Sequence, residues 1–175
     1  MSGLIHIYTG DGKGKTTAAI GLGIRACGRG MKVLMVQFLK GMETGEVFLL
    51  KKLEPDFILY RGQQLPKFTW NMNKEEKEEA AKVQKNIFEY AQKAALSREV
   101  DLLILDEIMA AVNTGFLDKE IVLGFIRNKP RDLELVLTGR NPSEAFIKEA
   151  NYVSEIHSIK HPMNEGVAGR KGIEY

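Results

Sequence analysis

The sequence predicts an α/β fold, a mostly parallel sheet of about six strands with helices on both faces. Two observations predict it. Short apolar runs alternate with amphipathic stretches, and several of the runs are continuously apolar, as strands buried on both faces are. In chain order the runs at 4–8, 32–38, 56–60, 101–105, 133–137 and 152–159 read as strands. The intervening stretches 16–28, 45–53, 73–97, 119–127 and 143–150 read as helices. The helix over 73–97 is the most clearly signalled: Asn73 can cap it and Glu76, three residues on, can complete a capping box. Its charged start, Lys74 to Glu79, is placed on the solvent side because Ala80, Val83, Ile87 and Ala94 recur at helical spacing.

A chain of 175 residues is one domain by size, spanning 1–175, with a single well-filled core. Lys and Arg number 25 against 23 Asp and Glu, and no strongly basic run stands out, so composition gives no push toward nucleic acid or anionic lipid. One cysteine, Cys27, cannot form an internal disulfide; no apolar run reaches membrane-spanning length and no export signal is visible, so a cytoplasmic, membrane-free location is expected.

The most informative segment is Thr9-Gly10-Asp11-Gly12-Lys13-Gly14-Lys15-Thr16-Thr17, placed between the first strand and the first helix. Glycines at 10, 12 and 14 permit positive φ and close backbone approach, so successive N–H groups can converge on phosphate oxygens at a helix N-terminus. Lys15 supplies charge and Thr16 a hydroxyl for Mg²⁺. This context predicts a three-layer P-loop NTPase fold of the RecA-like kind and binding of a nucleoside triphosphate. The loop is one residue short: the position six before Lys15, where the usual pattern has glycine, is Thr9. Binding and reaction therefore have to be argued separately. The second half of the site is Leu102-Leu103-Ile104-Leu105-Asp106-Glu107, an apolar strand that delivers two carboxylates to the sheet's C-terminal edge, where Asp106 or Glu107 can hold Mg²⁺ directly or through water.

No Cys-His or Ser-His-Asp arrangement suggests itself, and His6, His157 and His161 read as strand or turn residues. Catalysis has to come from charge and positioning, or from a nucleophile that the protein does not supply.

The glycine loop, together with Val36-Gln37-Phe38-Leu39-Lys40-Gly41, Phe68-Thr69-Trp70, Leu105-Asp106-Glu107, Thr138-Gly139-Arg140 and the tail from Lys160-His161-Pro162 to Lys171-Gly172-Ile173-Glu174-Tyr175, resembles the P-loop type of ATP:corrinoid adenosyltransferases of cobalamin biosynthesis and salvage. The resemblance runs from Ile5 to Tyr175. It implies ATP held in a reversed sense by the short loop, with the 5′ carbon of adenosine as electrophile, cobalt(I) of a corrinoid as nucleophile and triphosphate as leaving group. Lys13, Lys15, the loop N–H groups and Mg²⁺ on Thr16 with Glu107 would then stabilise that leaving group.

The resemblance also implies that Phe68 and Trp70 displace the lower axial ligand of the corrinoid, leaving a four-coordinate cobalt(II) that is easier to reduce. Arg25 and Arg140 match positions near the nucleotide and the substrate edge. Gln37, at a strand's C-terminal end, either reaches the corrinoid or braces the glycine loop. An electron-donating flavoprotein reductase and a homodimer are implied as partners. Two departures stand out: Asp11 replaces an Asn found in many relatives, and only three residues precede the first strand where some relatives carry a segment thought to cover the corrinoid. From the residues alone two rivals stay open, a P-loop ATPase or kinase making ADP and an ATP-binding regulator without turnover.

Overall fold

The computed structural model describes residues 2–41, 43–62 and 72–175. Six parallel strands, β1 Ile5–Thr9, β2 Val33–Gln37, β3 Phe57–Tyr60, β4 Leu102–Asp106, β5 Glu134–Thr138 and β6 Tyr152–Glu155, form one sheet in the order β3-β2-β4-β5-β1-β6. The helices are α1 Lys15–Cys27, α2 Gly45–Leu50, α3 Lys74–Leu96, α4 Ile108–Asn113, α5 Lys119–Asn128 and α6 Glu144–Glu149.

The buried, nearly unbroken apolar character of the central strands β2 and β4 has its cause in the pleat, whereas the edge strand β6 is exposed along its length. Successive side chains point to opposite faces, and both faces are covered. Along β4, Leu103 and Leu105 enter the core that also holds Ile87, Phe88 and Phe125 of α3 and α5, whereas Leu102 and Ile104 enter the core with Ala19 and Ala26 of α1. In β2, Leu34 and Val36 go to the first core, Val33 and Met35 to the second. Each buried Leu or Ile side chain contributes roughly 1.5–3 kcal/mol, so the central strands hold the sheet from both sides.

The expected capping box of α3 is present: Asn73 Oδ1 accepts from the Glu76 N–H at 2.9 Å and Glu76 Oε2 accepts from the Asn73 N–H at 2.9 Å. Ala80, Ile87 and Ala94 are buried as expected, joined by Gln84.

Three expectations change. The last strand stops at Glu155 rather than at 159, because the backbone of Ile156 turns to the glycine loop: its N–H donates to Thr9 O at 2.9 Å and its carbonyl accepts from Gly12 N–H at 2.8 Å. Helix α2 ends at Leu50 and tightens into a 3₁₀ turn over Lys51–Leu53. Helix α4 was not expected, since its six residues, IMAAVN, are too few to display a period. A 3₁₀ turn, Pro162–Glu165, capped by His161 Nδ1 accepting from the Met163 N–H at 3.2 Å, makes His161 a turn residue as expected. His6 is satisfied locally, with Nε2 2.5 Å from Glu134 Oε1 and the ring stacked on Tyr152.

Candidate active site

In a parallel sheet every strand ends at the same edge, so the loops after β1, β2, β4 and β5 meet there. β5 lies between β4 and β1, and this order builds the site. Thr138, the last residue of β5 and fully buried, donates its hydroxyl to Asp106 Oδ1 at 2.7 Å and accepts the Glu107 N–H at 2.9 Å. From the other side Thr16 Oγ1 donates to the same Asp106 Oδ1 at 2.9 Å. Asp106 is wholly buried, and three donors hold its carboxylate: Thr16, Thr138 and Gln37 Nε2, the last at 3.1 Å from Oδ2.

Gln37 is a brace of that carboxylate. It is 1% exposed, its amide is spent on Asp106, and its Oε1 is buried with no hydrogen-bond partner among the described residues.

Glu107 has a different task. It adopts the left-handed conformation at φ 62° in front of α4, an uncommon state for a side chain bearing Cβ and one that concentrates at functional sites. Burial, and then the neighbouring Asp106 charge, raise its pKa above the ordinary glutamate range, while Lys40, Lys15 and Arg140 pull the other way. A carboxylate held at that cost gains from a cation.

The glycine loop behaves partly as expected. Gly10 (φ 99°) and Gly14 (φ 123°) take positive φ. Gly12 does not, and its N–H is engaged by Ile156 O, so it is not among the amides open to phosphate. A Cβ at Gly10 or Gly12 would stand 2.3 or 2.8 Å from that same carbonyl. Two of the three glycines thus serve contact with the segment after β6. Thr9 and Lys15 are buried, and Lys15 Nζ donates to the carbonyls of Gly10 and Gly12, both at 2.8 Å, tying the loop around itself. Burial, followed by the Arg140 charge, lowers the Lys15 pKa. Helix α1 starts without a side-chain cap and without an acidic residue in its first turn, so its positive end is uncompensated and suits an anion.

Lys13, Gly14, Lys15, Thr16 and Thr17 line a cavity of about 470 Å³ together with Lys40, Glu107 and the tail at Gly172–Tyr175. The tail holds Lys13 there: Nζ donates to Glu174 Oε1 at 2.9 Å and to Ile173 O at 3.2 Å. No feature short of the fold could have placed Glu174 on Lys13.

Asp11 turns away from the cavity, its Oδ1 accepting from the Ser158 N–H at 3.3 Å, and that hydrogen bond leads the causes that lower its pKa. Arg140 stays near the loop, with Nη2 3.4 Å from the Asp11 carbonyl. Arg25 is not brought to the phosphate loop: it is exposed in the last turn of α1, ten residues and about 15 Å along the helix from Lys15. Phe68 and Trp70 lie outside the described residues. The described residues hold no group of three or more His, Cys, Asp or Glu that could hold a metal ion, so Mg²⁺ here would depend on substrate phosphates for part of its shell. Thr138 and Lys40 were missed as site residues, although both fall inside segments whose pattern already drew attention.

The parallel sheet, the glycine loop entering α1 and the acids ending β4 define the class, a P-loop α/β protein. A solved structure of a KaiC-like protein from Pyrococcus horikoshii shares the fold, with a TM-score of 0.58 at 15% identity over 89% of this chain and 73% of the other. The family model described as ATP:corrinoid adenosyltransferase BtuR/CobO/CobP matches residues 1–175. A corrinoid adenosyltransferase of Escherichia coli is 34% identical over 99% of this chain and 86% of its own, and one of Pseudomonas aeruginosa 33% identical over 99% and 84%. The chain belongs to the ATP:corrinoid adenosyltransferase family, transferases of cobalamin biosynthesis that move the adenosyl group of ATP to a corrinoid. No helix among the described residues is long and apolar enough to cross a membrane.

Proposed function

We propose that the chain binds ATP with its triphosphate on the glycine loop and transfers the 5′-deoxyadenosyl group to cobalt(I) of a corrinoid. The electron pair of cobalt(I) forms the bond to the 5′ carbon, the bond from that carbon to the phosphate oxygen breaks, and its pair leaves with inorganic triphosphate. The observation that carries this reading is the 470 Å³ cavity in which Lys13, Lys15, Thr16 and Glu107 surround the uncapped start of α1. Among its described lining residues there is no cysteine or histidine to act as a protein nucleophile.

Within the cavity Lys15, Lys13 and the open amides of the loop take the leaving charge, and the charge of Arg140 is felt at both Lys15 and Glu107. Thr16 and Glu107, with Asp106 behind them, would hold Mg²⁺, which when bound supplies two further positive charges to the phosphate oxygens. Lys13 reaches the triphosphate by exchanging Glu174 for it. Phe68 and Trp70 displace the lower axial ligand of the corrinoid. A flavoprotein reductase supplies the electron, the working unit is a homodimer, and the location is cytoplasmic.

The test is anaerobic incubation with Mg-ATP and chemically reduced cob(I)alamin. Growth of a light-sensitive alkylcobalamin with one equivalent of triphosphate is expected. ADP and phosphate with an untouched corrinoid would refute it in favour of an ATPase.

A further inference from the structure

Lys40 lies in the loop after β2, between Leu39 and Gly41, and lines the same cavity as Lys15, Thr16 and Glu107. Its Nζ stands 3.9 Å from Asp106 Oδ2, close enough for an ion pair and too far for a hydrogen bond. Asp106 already has three hydrogen-bond donors, so its burial does not require the lysine. The ammonium is thus presented to the cavity with its donors uncommitted to that carboxylate.

The backbone that presents it is unusual. Leu39 sits at φ 57°, in the left-handed region that a leucine seldom occupies. Its N–H donates to Gln84 Oε1 at 3.0 Å, and Gln84 is a 1% exposed glutamine on the buried face of α3. One residue earlier, Phe38 is fully buried and its N–H donates to Asp106 O at 2.9 Å. The chain is therefore fixed at two successive residues just ahead of Lys40, and the residue delivered by it is a cation. A polar side chain buried in a helix face to hold one strained backbone amide points to a demand on the placement of the next residue, Lys40.

We propose that Lys40 is a third cation on the departing triphosphate, and that Gln84 is the positioning residue that sets it there through Leu39. The proposal deepens the adenosyl-transfer reading and rests on it. Lys13 and Lys15 approach from the glycine loop, whereas Lys40 approaches from the β2 side of the cleft, so charge reaches the leaving group from two strand ends.

The test uses the full chain with Mg-ATP and reduced cob(I)alamin under anaerobic conditions, and Mg-triphosphate as a competitive inhibitor. Lys40→Met is expected to lower kcat about 10-fold or more and to weaken inhibition by triphosphate by a similar factor, as loss of a charged contact does. Lys40→Arg, which keeps the charge, should recover most of both. Gln84→Met should weaken triphosphate inhibition about 2- to 10-fold, the worth of one hydrogen bond. Unchanged triphosphate inhibition in Lys40→Met overturns the proposal, even if its thermal midpoint falls, because Lys40 would then serve only as a counter-ion of Asp106. Should Lys40→Met fail to fold, Lys40→Arg and Gln84→Met carry the test: wild-type triphosphate affinity in Gln84→Met removes the positioning role. A wild-type protein that releases no triphosphate from ATP and cob(I)alamin fails the adenosyl-transfer reading itself, an outcome visible before any variant is made.

Discussion

Replacing Thr138 by valine keeps the shape of the side chain and removes one hydroxyl that serves two partners. The hydroxyl donates to the wholly buried Asp106 carboxylate at 2.7 Å and accepts the Glu107 N–H at 2.9 Å. A hydrogen bond to an ionised group is worth ~1.5–3 kcal/mol, and an N–H left without its acceptor costs ~1–3 kcal/mol. Thr16 and Gln37 still hold Asp106, and local relaxation recovers part of the rest, so the expected loss is about 2–4 kcal/mol of folding stability. For a chain of this size that lowers the thermal midpoint by about 5–15 °C. Urea unfolding monitored by circular dichroism measures it directly. Thr138→Ser, which restores the hydroxyl, should recover more than half of the loss. A Thr138→Val protein within about 0.5 kcal/mol of wild type would refute the reasoning, since the hydroxyl would then not be what joins the two acids at the sheet edge.

The same geometry sets other outcomes. Lys15→Ala, which removes the ammonium from the triphosphate and from the carbonyls of Gly10 and Gly12, should slow turnover ~10- to 150-fold in the cobalamin assay; wild-type rates would remove Lys15 from the site. Trp70→Ala should lose conversion of cobalt(II) corrinoid with a reductase while keeping conversion of chemically reduced cobalt(I); equal loss of both would end the axial-ligand role. The Arg170 side chain, and then Lys13, hold the Glu174 carboxyl down at about 2, so the tail's hold on Lys13 is present above the ordinary value of 4.5 and is lost as pH falls through about 2. Carbon-13 titration of that carboxyl should show the low value in wild type and a return toward the ordinary range in Arg170→Ala; identical curves would show that Arg170 does not hold it.

Much of the fold and part of the site were legible in one dimension. Strands with both faces buried read as unbroken apolar runs, and the capping box at Asn73 and Glu76 is a local code that folds where it is written. The glycine loop and the Asp106-Glu107 pair were legible because strand, loop and helix succeed one another along the chain. What escaped is what depends on strand order. Thr138 is an ordinary end to an apolar run until β5 is seated between β4 and β1. Gln84 carries no signal of its own in the sequence, since its partner Leu39 is 45 residues away. Gly12 read as a phosphate contact because nothing near it in sequence competes for its N–H; the competitor is Ile156. Nor could one dimension place Arg25 and Gln37, the one exposed at the far end of α1 and the other covered against Asp106 at the sheet edge.

The grip of Ile156 on the loop also sets a timetable for the growing chain. The phosphate loop is made well before the segments that clasp it: among the described residues β1 pairs with β5 and β6, and the backbone that clasps Gly12 belongs to residue 156. Contacts of such long range form late and make folding slow. The nucleotide cradle therefore closes only after β5, β6 and Ile156 have docked on β1, and ATP, which prefers the closed cradle, favours chains in which they have docked over chains in which they have not.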